Sequence, residues 1–154
     1  MPKWRTHDIT VFTRLPEVDG AYQVIARGIR CYGQLAVHPR NIVEHTVKDK
    51  SDPTTWEVEF GHSTKHKRWK ITHWPTGLTF SDGHKGFGYK RKANALKVAE
   101  QVDQEFGDVL RSLPLTESAE AIVNTLMGHP RFDDLQELKH KLEEKYGIDR
   151  IVKD

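Results

Sequence analysis

The residues whose types and spacing most clearly indicate a binding site follow two glycines in the segment 86–93, GFGYKRKA. Three consecutive cations, Lys90, Arg91 and Lys92, stand at the start of a predicted helix. Positive charge at a helix N-terminus opposes the helix dipole, so these side chains do not serve local helix stability. Cations in such a row can meet phosphates spaced along a nucleic-acid backbone and release counterions. The segment therefore predicts a site for an external anion.

Charge is distributed unevenly along the chain. Residues 62–92 hold eight Lys or Arg and one acid, a balance of +7, whereas residues 100–150 hold twelve acids and six Lys or Arg, a balance of −6. The net charge of +2 thus hides a dipolar molecule. We expect the nucleic-acid-binding residues in or beside the basic window, and they are Lys65, His66, Lys67, Arg68, Lys70, Trp74, Lys85, Lys90, Arg91 and Lys92.

The elements that must position these side chains are predicted from periodicity. Residues 56–60 alternate apolar and polar, which indicates a half-buried strand with Trp56, Val58 and Phe60 inward. Residues 68–74 and 78–81 read as a hairpin around Pro75 and Gly77. A helix over 91–106 follows, and Gly107 ends or bends this helix. The apolar face of the helix needs a surface to pack against, and the hairpin is the nearest one.

The flanking regions divide the chain into three parts: a β-rich segment 1–39, a central β-β-β-α unit 40–113 and a helical pair 114–154. Residues 40–48 fit a short helix and a strand equally, since their apolar positions are β-branched, and residues 49–55 are predicted to form a loop. In the tail, Thr116 and Asp133 are the predicted caps of two helices. The predicted fold class is α+β, an antiparallel sheet with a C-terminal helical hairpin.

The order strand, basic loop, strand, turn, strand, G-x-G, basic cluster and helix resembles the double-stranded-RNA-binding domain over residues 40–106. That family carries G-x-G-x-S-K-K-x-A-K into its last helix. Arg91 and Lys92 match its phosphate-binding lysines, while Lys90 replaces its serine. The resemblance implies duplex RNA contacts by this run and by His62 or His66, and it implies a first helix near residues 40–50.

A second possibility is that the sheet itself reads nucleic acid. A three-stranded sheet backed by one helix is also similar to the AP2 domain and to the arm domains of integrases, which bind DNA. Trp74 would share a strand face with Lys70, and an exposed aromatic ring beside a cation can stack a base. Packing of Trp74 over the Pro75 turn or under the C-terminal helices is the favoured alternative.

Other chemistry is less well supported. Glu57 and Glu59 could hold magnesium in a small metal-dependent nuclease, although cross-strand pairing with Lys70 is the preferred interpretation. Cys31 is the sole cysteine, which excludes an internal disulfide and a cysteine-rich zinc site. We therefore expect no metal, no cofactor and no catalysis.

The composition predicts a globular cytoplasmic protein, because no apolar run could span a membrane and no signal-peptide pattern opens the sequence. Non-enzymatic binding of duplex RNA or DNA is the expected function. The alternative is a protein-interaction module with an inhibitory or regulatory role, which could dimerise through its C-terminal helices. The acidic tail could also fold over the basic region and compete with nucleic acid.

Overall fold

The computed structural model of the protein describes residues 4–13, 22–46, 51, 56–61, 67–81, 88–113 and 119–147. Within these ranges the chain forms seven strands: β1 (Trp4–Thr13), β2 (Tyr22–Tyr32), β3 (Leu35–Pro39), β4 (Asn41–Thr46), β5 (Glu57–Gly61), β6 (Trp69–His73) and β7 (Leu78–Ser81). The helices are α1 (Lys92–Arg111), α2 (Ala119–Met127) and α3 (Phe132–Leu142), and α3 runs into a π-helical turn (Glu143–Gly147). The predicted α+β class is confirmed.

All seven strands belong to one sheet, in which β2 has the central place. Its strand order is β4-β5-β2-β3-β6-β7, with β1 paired along β2. Because β1 occupies one edge of β2, the other edge is shared: Ala26 pairs with Val58 of β5 in parallel, and Arg30 pairs with Val37 of β3 antiparallel. The predicted N-terminal segment and central unit therefore contribute strands to the same sheet.

The hairpin of β6 and β7 forms as predicted, and its turn is closed by the Gly77 N–H donating to the His73 carbonyl at 2.8 Å. The first strand of the predicted unit lies elsewhere, since β2 and β3 separate β5 from β6. Residues 41–46, for which helix and strand were both open, are strand β4 and pair with β5. The position of the first helix that the resemblance implied is thus occupied by a strand, as its β-branched residues favour.

Two hydrophobic cores form on the two faces of the sheet. Leu35 and Val37 of β3 face α1, and the core on this face also takes in Ile71 and the predicted apolar stripe of α1. Ala36 of β3 points the opposite way, as alternation along a strand requires, into a core with Cys31 and Trp56. The hairpin thus receives α1, whose helix is bent at Phe106 (φ −129°) and continues to Arg111.

The C-terminal region contains two helices, as predicted, but the start of α3 differs. Arg131 is the residue before the helix, and Asp133 lies in the first turn instead of capping it. The reason is local: the Arg131 N–H donates to the His129 ring at 3.0 Å, and the Phe132 N–H donates to the His129 carbonyl at 3.0 Å, which starts the helix early. Asp133 still suits this position, because carboxylates stabilise a helix N-terminus. Thr116 lies outside the described residues.

Candidate functional site

Three chain segments meet at the start of α1. Trp69 of β6 and Tyr89 exchange two backbone hydrogen bonds, with N···O distances of 2.9 and 2.8 Å. On the other side of β6, the Arg40 N–H donates to the Arg68 carbonyl at 2.9 Å. The residues after β3, before β6 and before α1 therefore lie side by side, held by main-chain bonds.

Gly88 makes this close meeting possible. Its φ is +89°, and a Cβ placed on it would lie 2.8 Å from the Arg68 Cβ and 3.1 Å from the Arg40 Cδ. The side chains of Arg40 and Arg68 therefore pack directly over the glycine, next to the cations that follow Tyr89. Of the two glycines in the sequence motif, Gly88 is required by its positive φ and by the close approach of Arg40 and Arg68. Gly86 lies outside the described residues.

The resulting cluster is named the basic surface and consists of Arg40, Lys67, Arg68, Lys90, Arg91 and Lys92. Lys90, Arg91 and Lys92, at the start of α1, are exposed, and the helix start has no side-chain cap and no acidic residue in its first turn. Lys92 places its Nζ 5.1 Å from the centre of the Trp69 ring. In the part of the chain that the structure describes, Arg40, Arg91 and Lys92 form no ion pair. Positive charge is therefore concentrated here, beside helix N–H groups that favour an anion.

Arg40 is the member that sequence reasoning missed. It follows Pro39 in a region of mixed signals, 28 residues before Arg68. Only the pairing of β3 with β6, which aligns Pro39 with Trp69, brings it to the surface. The sequence contains no local signal for that pairing.

Two of the predicted site residues lie away from the basic surface. Lys70 stands opposite His38 in the β3–β6 pair and points away from the α1 face, since Trp69 and Ile71 occupy that face. Trp74 follows the far end of β6, where its Nε1–H donates to the Gly33 carbonyl at 2.7 Å and its ring stacks on His7 at 5.3 Å between centroids. Lys65, His66 and Lys85 lie outside the described residues.

The acidic tail packs on α1 and β7. Arg131 forms an ion pair with Asp108 of α1 at 2.8 Å, and the pair lowers the pKa of Asp108 through the hydrogen bond. Glu143 accepts a hydrogen bond from Ser81 of β7 at 2.6 Å. Among the described residues, no carboxylate of the tail is paired with Arg91 or Lys92. Arg91 and Lys92 are therefore not neutralised by the described part of the tail.

The carboxylates of the nuclease alternative lie in a different place. Glu57 pairs with Arg27 at 2.6 Å and not across strands with Lys70, because β5 and β6 are not neighbours. The pKa of Glu59 is raised by the hydrogen bond that its protonated carboxyl group donates to Glu44 and by the negative charge of Glu44. These groups line a cavity of about 310 Å³. Within the described ranges, no three His, Cys, Asp or Glu side chains are arranged to hold a metal ion.

Three further titratable groups are buried in the sheet. Burial raises the pKa of the Cys31 thiol to about 12. The His38 ring lies between Phe60 and Thr72, with its Nε2 2.7 Å from the Thr72 hydroxyl, and burial lowers its pKa to about 4. Burial likewise lowers the pKa of His73 to about 4, and its ring bonds to Thr76 and Gln34 at 2.8 and 3.0 Å. All three groups are therefore uncharged in the folded protein at neutral pH.

Comparison with protein families, with curated proteins and with solved structures finds no match to this chain. The helices in the described residues include none that is long and apolar enough to cross a membrane. Function must therefore be argued from the basic surface itself.

Proposed function

We propose that the protein binds the phosphate backbone of a nucleic acid, duplex RNA or DNA, through the basic surface and without catalysis. The observation that carries the proposal is the meeting of Arg40, Arg68 and the Lys90–Lys92 run around Gly88. Cations from three segments cover a broader area than a helix start alone, which suits successive phosphates. Such contacts provide affinity and position, and they carry no sequence information by themselves.

The part of the double-stranded-RNA-binding-domain resemblance that runs from the β6–β7 hairpin through α1 supports the duplex part of the proposal; the family's first helix and first strand have no counterpart among the described residues, because β4 is a strand and β5 is not next to β6. The hairpin, the Gly88 turn, the cation run and α1 follow one another in the order that this family uses. In duplex RNA the major groove is too deep and narrow for side chains, so proteins contact the phosphates and 2′-hydroxyls instead. A cluster of cations is suited to the phosphate part of that recognition. DNA remains the other arm of the proposal, since phosphate contacts do not distinguish the two.

The test is removal of the cations at the start of α1. For each phosphate that the protein no longer neutralises, the slope of log K against log salt becomes less negative by about 0.9 on B-DNA, which at 0.1 M salt corresponds to about an eightfold loss of affinity. The variant Lys90→Ala/Arg91→Ala/Lys92→Ala removes up to three such cations, so the slope should change by as much as about 2.7. Fluorescence anisotropy with duplex RNA, duplex DNA and single strands, at two or more ionic strengths, measures both quantities.

The matched control removes the same charge elsewhere. Arg5, Arg111 and Lys141 are exposed and lie outside the basic surface, so their replacement by glutamine lowers the net charge equally. We expect this control to retain most of the affinity and the slope. Equal losses in the two triple variants would show that binding follows net charge and not the proposed surface.

A protein-interaction module is the second candidate function. Val123 and Met127 stand four residues apart on α2 and are 42% and 58% exposed. Side chains at this spacing share one face of a helix, and such a face can contact another protein. A wild-type protein that binds none of the nucleic-acid probes at low salt would favour this candidate over the first.

A further inference from the structure

The C-terminal helix reaches the basic surface through a chain of side-chain hydrogen bonds. The Ser81 hydroxyl donates to Glu143 Oε2 at 2.6 Å, and the Tyr89 hydroxyl lies 2.7 Å from the Ser81 oxygen. A serine hydroxyl has one hydrogen, and here Glu143 receives it, so the tyrosine donates to the serine. The chain thus runs from Tyr89 through β7 to the π-helical turn after α3.

This chain is enclosed by the protein. Tyr89 is 0% exposed and Ser81 is 1% exposed. The Glu143 side chain is 13% exposed. Buried polar groups gain most from partners and lose most without them, because no water replaces a missing bond. The acceptor at Glu143 is therefore important for holding the Ser81 and Tyr89 hydroxyls in place.

Tyr89 is also the residue on which the basic surface is built. It follows Gly88, precedes Lys90 and carries both backbone bonds to Trp69. A tyrosine ring that shifts would move the neighbouring backbone and so the three cations after it. The π-helical turn that contains Glu143 also contacts α1 directly, since Asn94 donates to the Tyr146 carbonyl at 3.4 Å and the Lys97 Nζ lies 5.6 Å from the centre of the Tyr146 ring.

We infer that Glu143 is a positioning residue for the basic surface, so that the C-terminal helix supports nucleic-acid binding by fixing Tyr89 and the cation run. The inference rests on the proposed function. It predicts that loss of Glu143 lowers the affinity for nucleic acid. Competition by the acidic tail predicts the opposite, because removing negative charge from the tail would then raise the affinity.

Two substitutions at Glu143 separate positioning from charge. Glu143→Gln and Glu143→Leu remove the same negative charge, but glutamine keeps an oxygen that can accept from Ser81. Charge repulsion predicts equal or tighter binding for both variants. Positioning predicts that Glu143→Gln binds within about twofold of the wild type, and that Glu143→Leu binds about eightfold more weakly at 0.1 M salt, the equivalent of one phosphate contact.

A double-mutant cycle checks that the effect passes through Ser81. Ser81→Ala should weaken binding on its own and should add little in the Glu143→Leu background, because residues of one network are not additive. Tyr89→Phe keeps the ring and removes only its hydroxyl, so it provides the same test if Glu143→Leu does not fold. Additive losses, or binding by Glu143→Leu as tight as by Glu143→Gln, would overturn the inference.

Hydrogen exchange of the free protein separates this inference from the proposed function. The amides of Trp69 and Tyr89 both donate within the backbone bridge, so their protection should fall in Glu143→Leu and persist in Glu143→Gln. If the wild type binds no nucleic acid, the proposed function fails while lower protection still shows the coupling of Glu143 to Tyr89. Unchanged protection in Glu143→Leu would show that no such coupling exists.

Discussion

Acid should destabilise this protein through two histidines that fold in the neutral form. His38 is 1% exposed and His73 is 3% exposed, and burial lowers the pKa of each to about 4. An unfolded histidine titrates near 6.5, so the unfolded chain binds more protons between these two values. Stability is therefore fully present above about pH 6.5 and is lost as the pH falls toward 4. The linkage relation gives a loss of about 2 kcal/mol per histidine between pH 7 and pH 5.

The surroundings of both rings determine the direction of this effect. His38 faces Phe60 and Thr72, and the charge of Lys70 opposes its protonation further. Its bond to the Pro39 carbonyl acts in the opposite direction and is smaller than the effect of burial. For His73, the interaction with the Leu110 backbone carbonyl likewise raises the pKa, but burial, which lowers it, is again the larger effect.

The assay is urea unfolding followed by tryptophan fluorescence at several pH values between 7 and 5. His38→Gln should lower stability at pH 7, and it should reduce the further fall to pH 5 by about 2 kcal/mol relative to the wild type. The control is His140→Gln, which removes an imidazole whose side chain is 72% exposed. If His38→Gln and the wild type lose the same stability between pH 7 and pH 5, the buried neutral ring is not the cause.

Two further predictions concern the hydrophobic core that contains Cys31 and Trp56 and the turn between β2 and β3. Cys31 is 1% exposed and its pKa is raised to about 12, so an aromatic disulfide reagent should label it only at urea concentrations that unfold the protein; rapid labelling of the native state would contradict its burial. Gly33→Ala should cost about 3 kcal/mol in urea unfolding, from a left-handed residue and from overlap with the Asp103 carboxylate. Gly28→Ala is its control, since Gly28 also has a positive φ but no atom within 4 Å of the added Cβ, and it should cost about 1 kcal/mol; equal losses would exclude the overlap.

Local patterns predicted the elements whose two faces differ. The alternation of residues 56–60 predicted β5, and Trp56 and Val58 are buried as expected. The stripe of α1 was visible in the same way, because a helix on a sheet buries one side only. Residues 41–46 remained ambiguous, since β-branched residues suit both structures until a partner strand is known.

Pairing between distant strands lay beyond the sequence. The parallel contact of β2 with β5 and the place of β3 beside β6 depend on tertiary packing and have no local signature. The candidate site reflects the same division. The run Lys90–Lys92 was evident from residue types and spacing, whereas Arg40 joins it through strand pairing alone. Lys70 was assigned to the site because it lies near the cluster in sequence, but it points to the other face of the sheet.

The sharing of β2 has a consequence for how the chain is made. Synthesis proceeds from the N-terminus, so β1 and β2 emerge before most of their neighbours. The half of β2 at Ile25 and Ala26 receives its second partner only when Val58 has been added, and β3 waits for β6. Distant pairings of this kind slow folding, and unpaired strand margins attract other chains. The nascent polypeptide therefore passes through a stage at which β2 is paired with β1 along one edge and the Ile25–Ala26 part of its other edge has no partner strand.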